Sequence, residues 1–318
     1  MNILSQSFMT RQNVHRLLLF AMTLMVGLST DLLANTRAGS ESATRNSSEH
    51  SKSSKAESRF AKLDGARIHY VNYGKGSEAL VLIHGWTMNV DNWRDQIPDL
   101  MKRSRVIAID LPGHGQSDKP QITYNMDLFA RAVEAVMRDA KVKRAVLVGH
   151  SMGTPVARQF YRKYPEKTLA IVIVDGVLRQ LGDKAMMDGM MKSFRSPNYM
   201  QTITQMFSMM NGPNLSADAK GRINNSSLNT PQYVLVSAME GMADASIWGE
   251  DKISVPVLAI MAKNPFFPPD IEQSARGIAP NLEFKMWDGV GHFLMMEKPK
   301  EFNEAVLAFL DKNGLLKK

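Results

Sequence analysis

The chain of 318 residues has no cysteine. That excludes a disulfide framework, a thiolate metal site and a thiol nucleophile together. Its seven histidines include no His-Glu-x-x-His pair or comparable ligand spacing, so neither a metal nor any other cofactor is implied. Long apolar runs are scarce as well. The stretch from Leu17 to Leu28 falls well short of the ~20 residues that a membrane-spanning helix needs. Blocks of one charge are missing too. The formal charge is +8, yet Lys and Arg are scattered among the acids, which describes a solvated surface and argues against a nucleic-acid partner. No internal repeat is present. What remains is a globular composition, 44% hydrophobic and 22% charged, long enough for one α/β domain with an insertion.

Arg11 and Arg16 precede the Leu17 to Leu28 stretch, and Asp31-Leu32-Leu33-Ala34 places a small residue after it. A basic flank, a short apolar core and a small-residue end describe a secretory signal over residues 1–34, so the mature protein is expected in the periplasm or outside the cell. The alternative is an uncleaved anchor, the one case in which a membrane is a partner. Residues 35–58 are Ser-rich and charged without a large apolar side chain, and read as a flexible linker.

From residue 59 the pattern becomes that of a fold. Phe60 to Leu63 and Arg67 to Tyr73 flank Asp64-Gly65, a hairpin signal. Apolar strands follow at 79–83, 106–109, 145–148, 169–174, 255–261 and 282–287. They alternate with helical patterns, among them one carrying Trp93, Ile97 and Leu100 and another from Met126 to Ala140. Strands that are apolar throughout and alternate with helices belong to a parallel sheet covered on both faces. The expected fold is therefore α/β, a mostly parallel, doubly wound sheet built from residues 59–176 and 254–318. The rhythm breaks between 177 and 253, where short helical stretches carry ten methionines, and this segment reads as an inserted helical cap. Those thioethers either pack the cap or line a deformable apolar wall around a substrate.

Gly149-His150-Ser151-Met152-Gly153 sits where the apolar strand ends and a helical pattern begins. Strand, tight turn and helix are the context in which Gly-x-Ser-x-Gly is a nucleophile elbow. The turn at Ser151 is crowded, so side chains at 149 and 153 would collide with the adjoining strand and helix. A serine hydroxyl is a weak nucleophile until a base takes its proton. His292, in the Gly-rich loop Asp288 to Phe293 between a strand and a helix, is the candidate base. His84, His114 and His150 read as loop-holding residues.

Four motifs stand in order: His84-Gly85-Trp86, Asp110-Leu111-Pro112-Gly113-His114-Gly115-Gln116-Ser117, Gly149-His150-Ser151-Met152-Gly153 and Gly291-His292-Phe293. Together they resemble the α/β-hydrolase fold superfamily over residues 59–314. The resemblance implies Ser151 as nucleophile, His292 as base, and an oxyanion hole from the backbone N–H groups of Trp86 and Met152. It also implies that residues 177–253 cover the site.

One position departs from that pattern. The family's acid usually stands a few residues after the strand at 255–261, where this chain reads Ala262-Lys263-Asn264-Pro265. An amide cannot stabilise an imidazolium as a carboxylate does. Asp175, at the end of the preceding strand, is the expected substitute. Asp270 is a third candidate, with N-capping of the next helix as its plainer role. The expected activity is an exported, cofactor-independent serine hydrolase that cleaves a small-molecule carboxylic ester or lactone with a hydrophobic portion through an acyl-enzyme. C–C bond hydrolysis, cofactor-free perhydrolysis and a non-catalytic binding role on the same scaffold remain as alternatives.

Overall fold

The computed structural model describes residues 56–180, 184–265 and 267–316. The expected signal at 1–34, and the expected linker up to residue 55, lie outside the described residues. The chain divides into residues 1–52 and 53–318, and everything below concerns the second unit. Order begins slightly earlier than the composition suggests: β1 spans Glu57–Leu63, because Glu57 and Ser58 already pair with Asn72 and Val71 of β2, Ala66–Tyr73. Asp64 and Gly65 between them both take positive φ, 50° and 85°, as a two-residue hairpin turn requires.

The remaining elements follow in order. β3 is Glu78–Ile83, α1 Ile97–Arg103, β4 Val106–Ile109, α2 Met126–Asp139, β5 Arg144–His150, α3 Gly153–Lys163 and β6 Thr168–Val174. The insertion then supplies α4 Lys184–Phe194, α5 Tyr199–Met210, α6 Ala217–Leu228 and α7 Gln232–Ala243. The core resumes with β7 Val257–Ala262, α8 Ile271–Ile278, β8 Leu282–Trp287, α9 Leu294–Glu297 and α10 Pro299–Lys312. The helix expected through Trp93, Ile97 and Leu100 is two pieces, a 3₁₀ turn over Val90–Trp93 and then α1. Pro98 explains the break, since it has no N–H to donate to a preceding turn and is tolerated only at a helix start.

The sheet runs β1-β2-β4-β3-β5-β6-β7-β8. β2 is antiparallel to β1 and β4, and every pair from β4 to β8 is parallel. β4 and all but the first residue of β3 and β5 are buried, as a sheet covered on both faces demands. α2 packs against α3, and α1 against α10. β3 and β5 are hydrogen-bonded neighbours although β4 separates them in sequence. The winding reverses there, so the connections leaving β3 and β5 diverge and open a crevice at the carboxyl edge. The Gly85-Trp86 loop follows β3, and Ser151 follows β5. Within the insertion α4 packs on α5 and α7, and α5 on α6. No helix among the described residues is long and apolar enough to cross a membrane.

Candidate active site

Ser151 stands at the crevice with φ of 51°, a left-handed conformation that an L-residue adopts only under constraint. The constraint is visible on both sides. A Cβ on Gly149 would meet Gly153 O at 2.3 Å, and one on Gly153 would meet Ile83 O at 2.4 Å. The strand, the turn and the helix therefore approach closer than any side chain allows. Ser151 N–H donates to Val174 O at 3.0 Å, which ties the turn to the last residue of β6. α3 begins two residues later, and its first N–H groups, which have no partner inside the helix, lie beside the hydroxyl's own backbone.

The carboxylate next to His292 belongs to Asp175. His292 Nδ1 lies 2.6 Å from Asp175 Oδ2. Because a carboxylate only accepts, Nδ1 carries the proton and Nε2 is left as the basic nitrogen. The other oxygen, Oδ1, accepts the Ala262 N–H at 2.7 Å, so both lone-pair faces of the buried acid are used. Asp175 follows β6 at φ of 43°, held there by its own N–H donating to Ile260 O of β7. Asn264 is half-buried in the loop after β7, and Asp270 is exposed at the start of α8. Asp270 occupies the expected N-cap position of α8, without a side-chain capping bond.

The loop that carries His292 is fastened to the insertion. His292 N–H donates to Met210 O, the last residue of α5, at 2.9 Å. Glu297 of α9 accepts from Gly291 N–H with Oε1 at 2.7 Å and from Asn214 N–H with Oε2 at 3.3 Å. A Cβ on Gly212 would meet Gly291 N at 2.3 Å, so the two backbones touch directly. Beneath, His150 Nε2–H donates to His292 O at 2.9 Å.

The opposite wall is the loop after β3. A Cβ built at Gly85 would lie 3.2 Å from Ser151 Cβ, which places the neighbouring Trp86 backbone beside the serine. The Trp86 ring packs on Phe194 of α4 and Phe207 of α5, with centroids 4.9 and 6.2 Å away, and its Nε1–H donates to Leu235 O of α7 at 2.8 Å. Thr87, at φ of 58°, bonds Ser227 of α6. Both walls of the crevice are thus held by the same four-helix insertion.

The profile of the alpha/beta hydrolase fold matches residues 78–299. The chain belongs to that family. It is 36% identical over 118 residues to the dihydrolipoyllysine-residue acetyltransferase component of the acetoin cleaving system of Cupriavidus necator. That match spans 37% of this chain and only 32% of the relative. A soluble epoxide hydrolase from a Corynebacterium species is 27% identical over 286 residues, which cover 78% of this chain and 95% of that one. A solved thermophilic esterase superposes with a TM-score of 0.66 at 26% identity, over 82% of this chain and 99% of its own.

Three other histidines of this hydrolase hold loops. His84 accepts the Leu111 N–H at 3.0 Å and faces Gly85 O at 2.8 Å, while His114 faces Pro112 O at 3.0 Å. Burial, then the neighbouring His84, pushes His114 down to about 3. Burial also lowers His84, against the pull of Asp110. Burial, reinforced by His292, holds His150 well below the ordinary imidazole range. Among the described residues no group of three His, Asp or Glu could hold a metal ion. Of the insertion's methionines, Met191 and Met239 are buried, Met209 is exposed, and Met187, Met190, Met200, Met206, Met210 and Met242 are half-buried against the core. Gly212 and Glu297 were not legible as site residues. Neither stands in a motif, and only the approach of two distant backbones gives them a role.

Proposed function

We propose that this hydrolase cleaves a carboxylic ester or lactone with a hydrophobic portion through an acyl-enzyme. Ser151 Oγ attacks the carbonyl carbon while His292 Nε2 takes its proton. The backbone N–H groups of Trp86 and Met152 stabilise the oxyanion, and Asp175 holds the imidazole in the productive tautomer. The proton then passes to the leaving alkoxide, and water, deprotonated by His292, releases the acid. The observation that carries this reading is the buried Nδ1–carboxylate contact at 2.6 Å, which leaves Nε2 basic in the same crevice as a strained serine. The likeness to a thermophilic esterase supports an ester as the substrate class. Epoxide opening suits a serine poorly. A carboxylate that opens an epoxide forms an ester, which water can cleave, whereas a serine would be left as a stable ether.

The test is hydrolysis of a series of p-nitrophenyl esters and simple lactones by the native chain and by Ser151→Ala. Turnover lost in Ser151→Ala, with a burst of nitrophenol in the native protein, is the expected result. Full-length protein that binds but never turns over any ester would favour a binding role instead. Residues 1–34 motivate a proposal of export, checked by N-terminal sequencing of protein recovered outside the cytoplasm. The expected start is near Asn35, and an intact Met1 on membrane-bound protein would favour the anchor.

A further inference from the structure

A second serine stands in a hydrogen-bonded row with a buried histidine and a buried aspartate, on the far edge of the sheet. Ser58 of β1 lies with Oγ 2.9 Å from His69 Nε2 of β2, and His69 Nδ1 lies 2.7 Å from Asp110 Oδ2. His69 and Asp110 are 0% and 1% exposed, whereas Ser58 is exposed. The contact of a buried carboxylate with Nδ1 repeats that of Asp175 with His292, and here Nε2 also meets a hydroxyl.

The protonation pattern follows from the donors present. Asp110 Oδ1 accepts the Val90 N–H at 2.8 Å and Oδ2 accepts the Gln116 N–H at 2.9 Å, so the acid is already held as an acceptor. Burial alone would raise its pKa, but the bond from His69, with those from these amides, brings it below the usual carboxylate range. A carboxylate only accepts, so His69 Nδ1–H donates to it, and Nε2 is left to accept from Ser58 O–H. The backbone around the row is equally settled. His69 N–H donates to Ser117 Oγ at 2.8 Å, and Ser117 Oγ–H donates to Asp110 O at 2.6 Å. Beside the hydroxyl, the Phe60 ring lies tilted against His69 with centroids 5.2 Å apart, is itself partly exposed, and carries Arg67 Cζ 5.0 Å from its centre.

A strut that joins β2 to the loop after β4 needs only His69 and Asp110. The row instead continues outward to an exposed hydroxyl beside an apolar ring. The geometry points to Ser58 as a second activated nucleophile, which accepts an acyl or phosphonyl group from an activated ester or phosphonofluoridate. Ser58 Oγ forms the new bond to carbon or phosphorus, and its proton moves to His69 Nε2. The bond to the leaving group breaks, and the leaving group departs with the electron pair and takes that proton. The product is the O-substituted serine and the free alcohol or hydrogen fluoride. Ser58 lies on a strand and not at a helix start, so it lacks the Ser151 setting. A missing oxyanion donor slows acyl transfer by about 10² to 10³, and Ser58 is expected to react slower than Ser151 by at least about that factor.

The experiment treats full-length Ser151→Ala with excess fluorophosphonate and follows intact mass, then maps the labelled peptide. The expected result is slow addition of one phosphonyl group per chain on Ser58. It is absent in the double variant Ser58→Ala/Ser151→Ala and slowed in Ser151→Ala/His69→Gln. Absence of label on Ser58 overturns the proposal. So does label spread equally over exposed serines such as Ser246, or an unchanged rate at Ser58 in a folded His69→Gln variant. The first two results stand even if the buried histidine cannot be replaced without unfolding.

Discussion

Asp175 is the residue on which the proposed chemistry turns, because it has two tasks at once. Its Oδ2 fixes the His292 tautomer and its Oδ1 ties the last residue of β7, Ala262. Asp175→Asn keeps the size but offers a donor where the ring also donates, which favours the wrong tautomer. Turnover is expected to drop by about 10⁴ with little change in KM. Asn264→Ala and Asp270→Asn should each stay within a few fold of native kcat. Steady-state kinetics of the three variants, each checked by circular dichroism, decides the matter, and a nearly native Asp175→Asn would remove it from the mechanism. The buried loop histidines give a second prediction, about stability. His84, His114 and His150 are all lowered in the fold, so unfolding takes up protons between those values and the ordinary ~6.5. Their contribution is complete above pH ~6.5 and is lost as pH falls, at up to about 1.4 kcal/mol per unit for each ring. Urea denaturation at pH 5.5 should show a protein about 2–4 kcal/mol less stable than at pH 7.5. A flat profile across that interval would mean the rings are charged in the native state.

At the scale of elements, the part of the site that depends on the insertion is the His292 loop. Ser151 and Asp175 directly follow neighbouring strands joined by the ladder itself, but His292 is positioned partly by α5 and the turn after it. Gly212→Ala would press a methyl against Gly291 N and Glu297, so the loop must shift. A misplacement of about 1 Å can cost about 10² in rate, and kcat is expected to fall by that order while Ser151 still reacts with a fluorophosphonate. Native kcat in a less stable protein would show that the contact is architectural only. The half-buried methionines of the insertion are tested by Met187→Gln and Met206→Gln. If they face the acyl chain, kcat/KM should fall more for long acyl esters than for acetyl esters, since each methylene in an apolar pocket contributes about 1–3 kcal/mol. An equal loss across chain lengths would assign them to packing alone. The sequence could not separate these cases, because methionines at helical spacing look alike whether they face a cavity or a neighbouring helix. The elbow and the His292 loop were legible for the opposite reason. Each is a short motif of adjacent residues, although the contacts that require Gly153 and Gly291 come from distant parts of the chain. Asp175 needed one step more, an inference from strand order. The row of Ser58, His69 and Asp110 had no local signal at all, since only the hairpin register and the β2–β4 pairing bring those positions together.

Across the whole molecule the insertion and the sheet behave as one body in the contacts they share. Trp86 reaches α4, α5 and α7, Thr87 reaches α6, and the His292 loop reaches the end of α5. Far-ultraviolet and near-ultraviolet dichroism should therefore give superimposable thermal transitions, the second reporting Trp86 against the insertion together with Trp93 and Trp287 of the sheet part and Trp248 of the short turn Ala245–Trp248. An early near-ultraviolet transition would reveal helices that melt ahead of the sheet.

The close approach of Gly212 and Gly291 also sets a rule for anyone exchanging parts among relatives. Substrate range in such a scaffold is most directly altered by transplanting the whole helical segment from another hydrolase. Here the graft would remove one half of a backbone joint, because Met210 O and Gly212 meet the His292 loop and Asn214 N–H meets Glu297 beyond it. A chimera cut at 177 and 253 would inherit a foreign pocket together with His292 held in the wrong place. Retaining residues 210–214 from this chain, or moving Gly291 to Glu297 along with the donor's helices, would keep the two halves of the joint matched.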